Sequence, residues 1–249
     1  EELLLIGNVS PFLTGNILEN KDKLKGFFGV AGGTVVNAVC DYASVVANDS
    51  GINLELIKKY NLKLSDGNLI ESFGKAAHGS SPELGENALK PLFEYMHDLG
   101  EDLLPIVNAF NDTKNLSSLS SPQGNVTFSP DLIEEKDGKV FLTCDCRVPA
   151  PILTKSVEDV LDKYGFTYST IEKHPTFMVE KDGFLVKTLI GAYNAVTGEN
   201  AHPISMGGST FARAFKFGCA FGPEFIGHDA KIHDANENLP ESALLKSSP

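Results

Sequence analysis

Apolar and polar residues change their period several times along the chain, and each change predicts an element. The stretch from Thr34 to Ala47, TVVNAVCDYASVVA, is rich in Val and Tyr and reads as one or two strands. Asn53 then precedes LELIKKY, a short helix with Leu54, Leu56 and Ile57 on its apolar side. In LKLSDGNLIESF, Asp66-Gly67 stands between two apolar stretches and predicts a tight hairpin. Ser81-Pro82-Glu83 has the sequence of a helix start, and Ala88, Leu89, Leu92, Phe93 and Met96 recur at helical spacing up to Gly100.

A similar order of elements returns further on. GNVTFSPDLIEEKDGKVFLTCDCRVP predicts a hairpin around Asp137-Gly138, and Thr154 to Tyr164 an amphipathic helix with Val157, Val160 and Leu161 inside. Phe166 to Val179 reads as more strand. Strand and hairpin pairs covered by helices, without strict βαβ alternation, predict an α+β sheet domain up to about residue 180. The pattern then changes. Asp182 opens a helix with Phe184, Leu185, Leu189, Ile190 and Tyr193 on one face, stopped by Gly198. A short strand at His202 to Met206, the pair Gly207-Gly208, a helix from Ser209 to about Phe215 and a strand CAFGP follow. That alternation belongs to an α/β layer. One or two strands do not make a domain, so the rest of this sheet is expected outside the chain or at its start.

Composition narrows the function classes. The chain has 249 residues, 42% of them hydrophobic, enough for one large or two modest cores, which argues against disorder. Lys and Arg total 21 against 33 Asp and Glu, a net charge of -12, so a polyphosphate backbone is a poor partner and no nucleic acid is expected. The longest apolar run near the start, Leu3 to Ile6, is too short for a membrane span or a signal segment, and no membrane partner is expected. Cys40, Cys144, Cys146 and Cys219 form neither a CxxC pair nor a dense disulfide framework. Cys144 and Cys146, two apart in an extended segment, are expected to face one side of a sheet and pack as small hydrophobes. A reducing, cytoplasmic location follows as the expectation. Glu1 stands where a native start would have Met, and Lys246 to Pro249 close no element, so both ends read as cuts.

Three stretches carry residues suited to chemistry. In SMGGSTFARAFKFGCAFGPEFIGHDAKIHDANENL, Gly207 and Gly208 allow backbone to approach a ligand, and amides at the next helix start can hold an anion. His233 and His228 compete there as metal ligands on equal terms, each also readable as a solvated loop residue, since catalytic zinc needs three protein ligands. In GKAAHGSSPELGENAL, His78 sits at a strand-to-helix junction, either displayed at the sheet edge or packed beside the helix. In CDCRVP, alternation puts Arg147 on the opposite face from Cys144 and Cys146, with Thr143 and Asp145. Arg147 is then a plain surface residue paired with Asp145, or a fork for a substrate carboxylate.

Together and in this order, these stretches resemble the M20 metallopeptidases, most closely their PepV-like dipeptidases. GGTVVNAVCDYASVVA looks like the entry to that family's lid, where Asn37 fits and Cys40 stands at a usual proline. AAHGSSPELGENA matches the lid motif at His78, Pro82, Gly85, Asn87 and Ala88, and CRVP is similar to a strand ending in Arg-Tyr-Pro, with Val148 for the aromatic. GGSTFAR and IHDANEN look like closing catalytic-domain motifs, which places the family's metal-binding His on His233.

The resemblance implies an α+β lid domain of two ferredoxin-like halves, followed by the C-terminal portion of an α/β zinc-peptidase catalytic domain. Residues 1–27 would end an N-terminal catalytic segment or form a linker, 28–180 the lid, and 181–249 the C-terminal catalytic segment. The implied reaction is hydrolysis of a dipeptide or other small amide with two zinc ions, Mn or Co serving in their place, and a Glu as base. His78 would donate to the oxyanion, Arg147 would hold the substrate's C-terminal carboxylate, and Asn37, Gly208, Ser209 and Thr210 would add polar contacts. A doubled lid that mimics a dimer partner implies a monomer. The family also places a His-x-Asp pair, a Glu-Glu pair and another Asp ahead of the lid, and no His-x-Asp occurs here. The chain is therefore expected to be an incomplete, inactive part of its parent. Two alternatives are an amidohydrolase acting on N-acyl amino acids or longer peptides, and a non-catalytic binding or assembly module derived from a peptidase.

Overall fold

The computed structural model describes residues 4–8, 10–15, 24–136, 139–165, 167–173, 177–206, 210–222 and 236–247. In chain order the strands are β1 (Leu4–Asn8), β2 (Ser10–Gly15), β3 (Phe27–Gly32), β4 (Tyr42–Ala47), β5 (Lys63–Ser65), β6 (Leu69–Phe73), β7 (Ser120–Ser121), β8 (Gly124–Asn125), β9 (Thr127–Lys136), β10 (Lys139–Val148), β11 (Ser169–Lys173), β12 (Phe177–Met178), β13 (Pro203–Met206) and β14 (Ala220–Phe221). The helices are α1 (Leu54–Lys59), α2 (Leu89–Asp98), α3 (Leu104–Phe110), α4 (Thr154–Leu161), α5 (Phe184–Thr197) and α6 (Glu241–Ser247). Two compact units result, Pro11–His174, and Glu1–Ser10 with Pro175–Pro249. Among the described residues no helix is long and apolar enough to cross a membrane.

The larger unit is an eight-stranded sheet in the order β11-β2-β10-β9-β3-β4-β6-β5. Its pairings along β3, β4, β5, β6, β9 and β10 are antiparallel. The order is that of two half-sheets, with β3 and β9 meeting at the middle through Gly32 and Ile133. In the first half, β4 leads through α1 to the outer strand β5 and then inward to β6. In the second, β10 leads through α4 to the outer strand β11, and the inner place is filled by β2 from the start of the chain. One continuous core joins both halves: Ala43, Val45 and Ile70 of the sheet pack with Leu89, Leu92, Phe93 and Met96 of α2, and Leu142, Cys144 and Cys146 with Val157 and Leu161 of α4. Cys144 and Cys146 are fully buried on one side, as their spacing predicts.

Local chemistry explains most boundaries. Asn53 caps α1, its Oδ1 accepting from the N–H groups of Glu55 and Leu56 at 3.1 Å. Ile57 is buried and Leu56 packs on the core, but Leu54 is exposed. Asp66 and Gly67 both take positive φ, 49° and 80°, the backbone that a tight hairpin between β5 and β6 requires. The helix expected from Pro82 does not form there. Pro82–Leu84 make only one tight turn, Glu86 pairs with Lys75 in an extended bridge, and α2 starts at Leu89, whose N–H is accepted by Asn87 Oδ1 at 3.0 Å. Strands β9 and β10 pair as the predicted hairpin, with Asp137-Gly138 themselves outside the described residues.

In the smaller unit β1 pairs in parallel with β13, and antiparallel with β12 and β14. A strand from the start of the chain thus joins the alternating segment. Helix α5 ends at Gly198, φ 74°, as expected. Its inward residues are Val186 and Tyr193, whereas Phe184, expected on the packed face, is exposed at the first turn.

Candidate functional site

Backbone pairing brings Asn37, His78 and Arg147 to one region of the larger unit. The irregular segments 33–41 and 74–88 run side by side: Ala38 and His78 form an antiparallel bridge, the Val39 N–H donates to the Ala77 carbonyl at 2.8 Å, and the Gly79 N–H to the Asn37 carbonyl at 2.7 Å. The Ser81 N–H closes a turn onto the His78 carbonyl at 2.8 Å. Asn37 is exposed and His78 half-buried.

The turn also fixes the imidazole. The Ser80 N–H lies 3.1 Å from His78 Nδ1, and Ser80 Oγ lies 2.8 Å from the same nitrogen. A backbone N–H can only donate, so Nδ1 accepts and the neutral ring carries its proton on Nε2. His78 is thereby a hydrogen-bond donor through Nε2.

Beneath this turn lies a buried polar cluster on β9 and β10. Asp145 Oδ2 accepts from Arg147 Nε at 2.8 Å and Nη2 at 2.5 Å, with side-chain exposures of 0% and 7%. Arg147 does pair with Asp145 and does face away from Cys144 and Cys146, but it is not on the surface. The segments 33–41 and 74–88 roof that face: Asn87 Nδ2 donates to the Pro130 carbonyl at 2.6 Å, and a Cβ placed on Gly79 would lie 2.5 Å from Asp145 Oδ2.

Ser129 and Asp131 belong to the same cluster and were not singled out from the pattern. Their signal lies in cross-strand pairing, since Ser129 stands opposite Asp145 and Thr127 opposite Arg147. Asp131 is the extra residue of a bulge, because Pro130 pairs with Cys144 and Leu132 with Thr143. Ser129 Oγ donates to Asp131 Oδ1 at 2.5 Å. Burial pushes the Asp131 carboxyl up to about 9, with the nearby Asp145 charge adding to it and Ser129 and Arg147 opposing. Burial also raises Asp145, against the pull of Arg147. At neutral pH Asp131 then keeps its proton, Asp145 and Arg147 form the ion pair, and the cluster carries no net charge. Asp131 Oδ2, Asp145 Oδ1 and Thr127 Oγ1 are buried without a hydrogen-bond partner among the described residues.

Cys40, beside Asn37 in sequence, donates its S–H to the Tyr42 carbonyl at 3.1 Å, and burial pushes its thiol up to about 12. It is a packing residue, not a nucleophile. Thr210 lies in the smaller unit, half-buried, and its hydroxyl accepts from the Ala212 N–H at 3.3 Å to cap a short turn. Gly208, Ser209, His233 and the competing His228 lie outside the described residues. Among the described residues no group of three or more His, Cys, Asp and Glu could hold a metal ion, so they supply no zinc centre of their own.

Fold and site define a mixed α/β chain with a largely antiparallel sheet, in which the turn that carries His78 packs on a buried carboxylate–guanidinium pair. No protein-family model matches it. Over 196 residues, 70% of this chain, it is 27% identical to the Staphylococcus epidermidis protein named "Putative dipeptidase". Over 205 residues, 77% of this chain, it is 28% identical to "Putative dipeptidase YtjP" of Bacillus subtilis. The matched stretches cover 41% and 44% of those relatives, so the chain spans less than half their length. Among solved structures it is similar to the di-peptidase Dug1p of Saccharomyces cerevisiae, with TM-score 0.47 and 11% identity over 99% of this chain and 53% of that one. It is also similar to the aminoacylhistidine dipeptidase of Vibrio alginolyticus, with TM-score 0.36 and 11% identity over 82% and 52% of the two chains.

Proposed function

We propose that this chain is the lid and C-terminal catalytic segment of a metal-dependent dipeptidase of the M20 type. In this reading the lid, expected over 28–180, is the unit Pro11–His174, which also takes β2 from the start of the chain, and Glu1–Ser10 with Pro175–Pro249 belongs to the catalytic domain. One observation carries it: His78, the residue that the M20 motif makes an oxyanion donor, is held by Ser80 in the tautomer that can donate from Nε2. The similarity to two relatives named as dipeptidases supports the substrate class.

In this reading His78 Nε2–H donates to the oxygen of the scissile carbonyl as it gains charge. Arg147 is, by the M20 resemblance, the residue for the substrate's C-terminal carboxylate, and Asp145 holds its Nε–H and Nη2–H. Asn37, Gly208, Ser209 and Thr210 supply further polar contacts. His233 would hold zinc, or Mn or Co in its place. When bound, such a metal polarises the carbonyl and acidifies a water. The two half-sheets favour a monomer whose lid stands in for a partner subunit.

The test uses the full-length protein that contains this sequence, assayed with dipeptides, N-acyl amino acids and tripeptides in the presence of zinc, manganese or cobalt. Hydrolysis of dipeptides alone is expected, and His78→Ala should lower kcat about 100- to 1,000-fold with little change in KM. Preference for N-acyl amino acids or longer peptides would move the assignment to an amidohydrolase. Hydrolysis of none of them with any metal would end it.

A further inference from the structure

We propose that Asp145 is a positioning residue that braces Arg147 and His78 together, so that carboxylate anchor and oxyanion donor are set by one buried oxygen. The inference rests on the roles proposed above for those two side chains. Asp145 Oδ2 is the atom on which Arg147 and the Gly79 turn converge. It takes both the Nε–H and an Nη2–H of Arg147, at 2.8 and 2.5 Å, which fixes the plane of the guanidinium. A Cβ added at residue 79 would come within 2.5 Å of the same oxygen, so the backbone next to His78 packs closely against it. The carbonyl of Asn37 closes the other side, 3.2 Å from the same position and hydrogen-bonded to the Gly79 N–H at 2.7 Å.

Glycine is required at 79 by this packing, not by its backbone angles, since its φ is not positive. Any side chain there would drive the turn off Asp145 or Asp145 off Arg147. From Gly79 the constraint passes one residue to each side. His78 is bridged to Ala38, and Ser80 orients the imidazole through Nδ1. The brace is itself immobile, because Asp145 is fully buried on a strand paired with Ser129. Removing its charge takes from the buried Arg147 guanidinium the carboxylate that holds its Nε–H and Nη2–H.

Two isotope-labelled variants of this chain test the idea by NMR, Asp145→Asn, which keeps the shape, and Gly79→Ala, which keeps every charge. The signals are the Arg147 Nε–H, the Gly79 or Ala amide with that of Ser80, and the His78 ring nitrogens, with the α2 amides as a control for the fold. Both variants should shift the Arg147 and turn signals together and blur the Nε2–H signature of His78, while α2 stays in place. An Asp145→Asn spectrum in which Arg147 moves and His78, Gly79 and Ser80 keep their wild-type positions would overturn the brace. In the full-length protein, Asp145→Asn should lower kcat for a dipeptide and for its C-terminal amide alike. It should also raise KM for the free carboxylate at least about tenfold more than for the amide. Equal losses in kcat with both KM values unchanged would mean a merely structural residue. If full-length wild type hydrolyses neither substrate, the dipeptidase reading fails, and the spectra still decide the brace.

Discussion

Asp131 offers the sharpest quantitative test of the buried cluster. Its carboxyl sits at about 9 in the folded chain against an ordinary value of 3.8, chiefly because burial disfavours the charged form. Between those values the folded chain holds one proton more than the unfolded chain. Stability therefore falls as pH rises through this window, the reverse of a salt-bridged carboxylate. Each pH unit inside it corresponds to about 1.4 kcal/mol, so the three units from pH 5 to pH 8 set an upper limit of about 4 kcal/mol. Asp131→Asn removes the titration and preserves shape: its Oδ1 can still accept from Ser129 Oγ, and its Nδ2 takes the place of an oxygen that has no partner among the described residues. Urea unfolding of wild type and variant at pH 5, 6, 7 and 8 isolates the effect, because titrations not coupled to Asp131 cancel in the difference. The variant should gain on wild type progressively from pH 5 upward, by at least about 2 kcal/mol between pH 5 and pH 8 on the same scale. Two stability profiles that stay parallel across the range would refute the raised carboxyl and, with it, the neutral charge state assigned to the cluster.

Three further outcomes follow from the packing. Gly33 has φ 75° and a Cβ there would collide with the Asp131 carbonyl, so Gly33→Ala should cost at least about 2 kcal/mol in urea unfolding. Tyr95 OH donates to the Gly51 carbonyl at 2.5 Å and accepts from the Asn53 N–H at 3.1 Å, both across the core edge. Tyr95→Phe should therefore lower stability by about 1–3 kcal/mol, read from the denaturation midpoint at constant slope. Asn53→Ala removes the cap of α1 and should cost about 1 kcal/mol, with faster amide exchange at Glu55 and Leu56 and none at α2.

The elements that were legible in the sequence are those fixed by neighbours a few residues away. Asn53 as a cap, Asp66-Gly67 as a turn, Gly198 as a stop and Val157, Val160 and Leu161 as an inward face all depend on short-range chemistry. The misread positions depend on distant segments. Pro82 starts only a single turn because Lys75 claims Glu86 for an extended bridge. Arg147 has the right face but not the right depth, since nothing in CDCRVP reveals that residues 33–41 and 74–88 will cover it. Ser129 and Asp131 become site neighbours only through the β9–β10 register, which a bulge shifts by one residue. At Phe184 and Leu54, in the first turns of α5 and α1, helical spacing put them on the packed face, yet both are exposed.

The place of β2 has a consequence for the order in which the chain can fold. The first half-sheet is contiguous in sequence, from β3 to β6 with α2, and can close on itself as soon as it is synthesised. The second half borrows β2, which leaves the ribosome before any of its partners and pairs Thr14 with Thr170 at the far end of the unit. That strand must wait with its edges unsatisfied while the whole first half and the β9–β10 hairpin form. The slow step of folding, and the window for aggregation, should therefore lie in the capture of β2 between β10 and β11, a contact of high sequence separation.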